Sequence, residues 1–257
     1  VYNWGEYISD GSDDSLDINK AFEKISGIKV NYTQYATNEE LRAKLKSGAV
    51  SYDIVIPSDY MIGRMISENM LEKLNFNNIP NYKNIDEEFK NQVFDKSNEY
   101  SVPYTWGTVG LIYNKTLVDK NDVNTWNVLW NEKYTGKILM FSNSRDAIGI
   151  ALKKLGFSYN TTSDMEIRAA AEELKKQKPL VQAYVMDEIF DKMISGEAAI
   201  APYYAGDAIT MIQDNPDLAF AFPKEGTNKF IDSMCIPKGS KNKEAAEAYI
   251  NPSLIHI

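Results

Sequence analysis

Apolar positions along the chain switch repeatedly between a helical spacing and an alternating one. In residues 13–26, Ile18, Ala21, Phe22 and Ile25 fall at i, i+3, i+4 and i+7. Acidic residues lead in and Gly27 follows, so this stretch predicts a helix. Residues 28–35 alternate, with Ile28, Val30 and Tyr32 on one face, and predict a strand. Thr37 and Glu40 form a capping box before a helix through Leu41 and Leu45 to Lys46, with Gly48 after it. Residues 52–56 read as a short strand buried on both faces. Pro57-Ser58 ends that strand, and Ser58 is placed to cap a helix carrying Met61, Ile62, Met65 and Ile66. With Val1-Tyr2 as a first strand, the alternation predicts an α/β fold around a mostly parallel, doubly wound sheet.

Residues 75–100 are rich in Asn, Asp and Lys and read as surface connections. Residues 102–114 form an extended run with Gly107 and Gly110 inside it, read as a crossover into a second region. There the pattern predicts a helix at 126–130, a strand at 137–141, helices at 144–155 and 165–176, and a strand at 181–185. A helix at 187–194, a strand at 198–203 and a short helix at 205–213 follow. Residues 230–237 read as a second extended run crossing back, and 244–250 as the start of a last helix. The expected organisation is two lobes, 1–107 with 233–257 and 108–232, joined by crossover strands. A cleft between such lobes is a preferred ligand location.

The composition is that of an ordinary soluble protein, 44% hydrophobic and 25% charged over 257 residues, with no apolar run of membrane-spanning length. No signal peptide is legible, so an exported form would be the mature one. The net charge of −8 makes nucleic acid a poor partner and a cation a better one, although solubility alone also explains acidity. Cys235 is the only cysteine, which leaves no internal disulfide, and its apolar neighbours suggest a buried thiol. His256 is the only histidine, which argues against His-based triads and His-ligated zinc. Phosphate-binding, nucleophile-elbow, zincin and CxxC motifs are absent, and no cofactor or metal is expected.

Four loops share a pattern: each follows a predicted strand and carries an aromatic residue, a short acid, or both. They are Trp4-Gly5-Glu6-Tyr7, Ser58-Asp59-Tyr60, Ser142-Asn143-Ser144-Arg145-Asp146 and Tyr203-Tyr204-Ala205-Gly206-Asp207. Alternation places Phe230 and Asp232 on one face of the second extended run. Aromatic faces attract ammonium groups and carboxylates pair with them, so an organic cation suits this set. Each part also has a structural reading. Trp4, Tyr7 and Tyr60 fit a core; Asp59 and Ser144 fit helix N-termini; Arg145 fits a neutralising or a positioning partner of Asp146. The acid run Asp10–Asp17 lacks calcium-loop order and reads as a solvated helix start, while Lys153-Lys154 and Lys175-Lys176 read as exposed helix faces.

Several of these segments resemble, in order and with similar spacing, the substrate-binding proteins of bacterial spermidine/putrescine ABC importers. The resemblance rests on Tyr2-Asn3-Trp4, Glu6-Tyr7, residues 52–60, Pro103-Tyr104-Thr105-Trp106-Gly107 and residues 232–237, and runs to about residue 250. It implies two α/β lobes of the periplasmic-binding-protein type II fold, a non-enzymatic monomer outside the cytoplasm (periplasmic or lipid-anchored), and a permease partner in the membrane. By motif it makes Trp4, Tyr60, Tyr204 and Phe230 aromatic walls along a polyamine. Asp146 and Asp232 become amine anchors, Glu6 and Tyr7 a polar edge, and Ser58 a hydrogen-bonding group. Asn143 stands where the family often has a second acid, and Tyr204 and Phe230 stand where some members carry Trp. These departures leave the choice between putrescine and spermidine open. The family also continues beyond the helix at 244–250, so residues 252–257, starting with Pro252, read as a helix interruption and a shortened end. Other readings of the same residues are a receptor for another cationic solute or metal chelate, an adhesion module, and a hydrolase using Asp146 and Asp232.

Overall fold

The computed structural model describes residues 1–12 and 14–253. Asp13 at the start of the predicted first helix, and residues 254–257 with His256, lie outside the described residues. The chain divides into two compact units, residues 1–106 with 230–257 and residues 107–229.

In the first unit, strand β1 (Tyr2–Trp4) leads to α1 (Ile18–Ser26) and β2 (Thr33–Tyr35), which pairs parallel with β1. Helix α1 starts later than the periodicity predicts. Asp17 is its N-cap, accepting from the Lys20 N–H at 2.9 Å, and residues 14–16 before it follow no helical path. The predicted strand at 28–35 keeps only its last three residues, and the Glu23 carboxylate takes the Val30 N–H at 2.6 Å. Helix α2 (Asn38–Ser47) follows the capping box: Thr37 Oγ1 accepts from Glu40 N–H, the Glu40 carboxylate accepts from Ala36 N–H, and Gly48 closes the helix at φ 66°. Helix α3 (Asp59–Ser67) follows Ser58, whose side chain does not cap it; Asn38 engages that hydroxyl instead.

The segment 54–56 replaces the predicted parallel strand with a mixed bridge. Val55 pairs parallel with Tyr2 and antiparallel with Cys235. Alternation then sorts the core into two layers. Val55 and Cys235 join Tyr2, Leu41 and Met65 on one side, while Ile54, Ile56, Met234 and Ile236 join Tyr249 and Ile250 on the other. Cys235 is fully buried, as its neighbours suggested.

The long strand β3 (Ser101–Asn114) carries the chain into the second unit. There β4 (Ile138–Phe141), α4 (Ser144–Lys154), α5 (Asp164–Gln177), β5 (Val181–Val185), α6 (Ile189–Ile194), β6 (Ile200–Tyr204) and α7 (Ala205–Asp214) follow in turn. The predicted helix at 126–130 is a 3-10 turn, started by Thr125 Oγ1 accepting from Asn127 N–H. Strand β7 (Leu218–Ala221) has no counterpart in the sequence reading; it completes the sheet order β5–β4–β6–β3–β7. Strands β5 and β6 run parallel to β4, whereas β6 and β7 run antiparallel to β3, so the sheet is mixed rather than mostly parallel. The return strand is β8 (Lys229–Cys235), followed by α8 (Lys243–Ser253).

Two surface expectations need correction. The Lys154 side chain is only 16% exposed: its ammonium lies 2.7 Å from Glu173 and 5.0 Å from the Trp130 ring centroid. Pro252 does not interrupt α8. It lies inside the helix, and Ser253 Oγ donates to Tyr249 O at 2.8 Å.

Candidate functional site

The first unit holds most of the predicted site residues: Trp4, Glu6, Tyr7, Ser58, Tyr60, Phe230 and Asp232. Trp4 is anchored by its indole N–H, which donates to Ile56 O at 2.8 Å. The Tyr35 hydroxyl donates to the same carbonyl at 2.6 Å, and the Trp4 and Tyr35 rings lie 4.6 Å apart. The chain then turns through exposed Glu6, which holds a left-handed φ of 51°. Few non-glycine residues adopt that conformation. The turn brings Tyr7 back, with its ring centroid 6.4 Å from that of Trp4.

The Tyr7 hydroxyl donates to Asp232 Oδ2 at 2.5 Å, and the Tyr104 hydroxyl donates to the Tyr7 carbonyl. Asp232 lies on β8, is 3% exposed, and bridges antiparallel to Ser58. Phe230, two positions earlier on β8, shares its face. Tyr7, Ser58 and Asp232 are thus drawn together from three distant segments. Asp59 begins α3 and accepts from the Ile231 N–H at 3.2 Å, so its structural reading and a tie to β8 both hold. The Tyr60 hydroxyl donates to Glu39 at 3.1 Å at the protein surface.

Fully buried Asn38 is a residue the sequence reading missed. Its Nδ2 donates to Ser58 Oγ at 3.0 Å, and its Oδ1 accepts from Ser58 N–H at 3.2 Å. The capping box located Asn38 at a helix start, but nothing local announced a partner twenty residues away. A cavity of about 760 Å³ opens beside the loop that follows β1. Glu6, Tyr7 and Tyr104 line it together with the apolar Phe22, Ile25 and Tyr249.

The second unit holds Asn143, Asp146 and Tyr204. Asn143 rather than Ser144 is the N-cap of α4, accepting from Arg145 N–H at 3.0 Å. Asp146 sits in the first turn of that helix and is 4% exposed. The Asn143 amide and the Tyr204 hydroxyl donate to its Oδ2 at 3.1 and 3.0 Å. Tyr159 and Asn228, neither singled out in the sequence, donate to its Oδ1 at 2.8 and 3.1 Å. Arg145 donates to Asn160 at 2.6 Å and covers the Tyr159 ring at 5.4 Å.

Burial pushes the Asp146 carboxyl above its ordinary pKa. The bonds from Tyr159, Tyr204 and Asn228, and the charge of Arg145, work against that rise. Burial and the neighbouring carboxylate push the Tyr204 phenol well upward. Tyr204 also packs on Phe141, with ring centroids 5.1 Å apart. Among the described residues, no cluster of three or more His, Cys, Asp and Glu could hold a metal, and no helix is long and apolar enough to cross a membrane.

Two α/β units joined by strands that carry the chain out and back, each with a buried carboxylate among aromatic side chains, define a solute-binding class. Residues 17–253 match the family described as bacterial extracellular solute-binding protein. The spermidine/putrescine-binding periplasmic protein of Salmonella typhimurium is 39% identical over 253 residues, covering 97% of this chain and 70% of that protein. The putrescine-binding periplasmic protein SpuD of Pseudomonas aeruginosa is 31% identical, covering 98% and 72%. A solved structure from Listeria monocytogenes, described as a putative spermidine/putrescine ABC transporter, is 38% identical. It superposes with a TM-score of 0.92 over 98% of this chain and 76% of that one. The chain belongs to the bacterial extracellular solute-binding family, which bears out the resemblance read from its motifs and its place outside the cytoplasm.

Proposed function

We propose that this chain captures a linear polyamine, spermidine or putrescine, and delivers it to an ABC permease as a monomeric binding protein without enzymatic activity. The observation that carries the reading is a pair of buried carboxylates, Asp232 and Asp146, one in each unit and each fixed by tyrosine hydroxyls. The names of the relatives, and of the similar solved structure described as a spermidine/putrescine ABC transporter, support it.

A polyamine carries ammonium groups separated by methylenes. Asp232, held by Tyr7, offers charge to an ammonium in a dry setting where pairing is stronger than in water. Trp4, Tyr60 and Phe230 in the first unit and Tyr204 in the second supply aromatic faces for methylenes, each worth about 0.8 kcal/mol when buried. Glu6 and Ser58 add polar contacts. In the second unit, Asn143 contributes an amide where charge would otherwise stand. This reduces the local negative charge and favours a ligand with fewer cationic centres there. The negative surface favours the same cations and gives nucleic acid no electrostatic reason to bind.

Calorimetry with putrescine, spermidine and a neutral alkane diol tests the proposal. Polyamines should bind and the diol should not, and mass spectrometry should recover the polyamine unchanged. Asp232→Asn should weaken binding by at least tenfold, the scale of a lost charged hydrogen bond. Asp164→Asn, at an exposed position on α5, should leave it within twofold. Equal binding of the diol, or no polyamine binding, overturns the reading.

A further inference from the structure

The Asp146 carboxylate accepts four hydrogen bonds, two on each oxygen, all from neutral side chains. A carboxylate offers about four lone-pair sites, so this set is full. Asn143 and Tyr204, on Oδ2, are residues that the proposed function places against the ligand. Tyr159 and Asn228 hold the other oxygen.

Tyr159 reaches Asp146 by an unusual route. Its ring lies directly against α4 at Gly149, where a Cβ would stand 2.0 Å from the ring's Cζ atom. No side chain tolerates that distance, so a glycine in the helix interior opens the slot the ring occupies. Glycine weakens a helix interior, and an isolated one calls for a packing reason. Here the reason is visible: the slot lets the phenol donate to Oδ1 at 2.8 Å while the ring is 8% exposed.

We propose that Tyr159, admitted by Gly149, is a positioning residue for ligand recognition. It holds and aims the Asp146 carboxylate, so that its charge reaches a cationic ligand through Tyr204 and Asn143. The proposal rests on the polyamine-binding reading. A phenol that donates to a carboxylate becomes a better acceptor itself, so Tyr204 can receive an ammonium N–H while Asp146 supplies the charge behind it. The charged and titratable groups acting on Asp146 are Arg145 from α4, Tyr159 from the loop after it, and Tyr204 at the end of β6. Asn143 and Asn228 contribute neutral donors. Without the Tyr159 hydroxyl, burial has less to oppose it and the acid holds its proton to higher pH.

The experiment compares wild type and Tyr159→Phe by spermidine calorimetry across pH and by NMR titration of the Asp146 side-chain carboxyl. The variant should bind about tenfold more weakly at neutral pH, the scale of a hydrogen bond to a charged group. The pH at which affinity is lost, and the carboxyl midpoint, should both move upward. A folded variant with unchanged affinity and unchanged midpoint overturns the proposal.

Gly149→Ala tests the slot separately. It should lower the melting temperature and reproduce the binding loss in wild type, yet raise the melting temperature in a Tyr159→Ala background. Equal lowering in both backgrounds overturns the slot. If wild type binds no polyamine, the recognition role falls with the proposed function. The NMR midpoint and the melting temperatures, which need no ligand, still decide whether Tyr159 holds Asp146.

Discussion

At the scale of single residues, tyrosine hydroxyls restrain a buried carboxylate of the proposed site in each unit. Tyr7 is the clearest case, because its bond to Asp232 engages an acid that is 3% exposed. Tyr7→Phe keeps the ring and removes the bond. Urea denaturation should show a loss of roughly 1–3 kcal/mol, the cost of leaving a buried charged group short of a partner. The chemistry of this contact was partly legible, since Tyr7 stood out in a loop after a strand and Asp232 on one face of the second extended run. Their bond was not, because 225 residues separate them and only the strand β8 brings them together. Asn38, Tyr159 and Asn228 were illegible for the same reason. Their side chains are ordinary until a distant acid or hydroxyl is placed against them.

At the scale of elements, local signals located the helices well where the cap was encoded nearby. Thr37, Glu40 and Gly48 bound α2 as expected. They located strands less well, because a strand's hydrogen bonds lie on other segments. Residues 28–32 alternate like a strand yet join no ladder, while Leu218–Ala221 gave no distinct signal and pairs with β3. Glycines expose the difference between local and tertiary demands. At Gly110 in β3, a Cβ would stand 2.4 Å from the Phe220 ring and 2.8 Å from the Ala221 carbonyl oxygen. At Gly63 in α3, the nearest atom would be an ordinary 3.5 Å away. Gly110→Ala should therefore destabilise by about 1–3 kcal/mol through overpacking. Gly63→Ala should stabilise by about 0.4–1 kcal/mol through the unfolded chain. Thermal melts of the two variants check the opposite signs.

At the scale of the whole molecule, buried tyrosines make stability sensitive to alkali. Burial raises Tyr35, Tyr203 and Tyr204 well above the ordinary phenol range and Tyr104 to about 12. Above pH ~10 the unfolded chain releases phenolic protons that the folded chain keeps, so stability falls as pH rises toward the folded values. Tyr104 alone should contribute a loss of roughly 1 kcal/mol by about pH 11. The urea midpoint should decline steadily above pH ~10; an unchanged midpoint would mean that these phenols ionise equally in both states. The sequence by itself determined the α/β class, the capping of α2 and the family. Those properties follow from residue type and spacing along a continuous chain. Only the tertiary structure decided the mixed sheet, the Tyr7–Asp232 bond, the Asn38 clamp on Ser58 and the four-donor shell of Asp146. Each of these depends on which surfaces meet after folding, and hydrogen bonds between distant segments leave no periodic trace in the sequence.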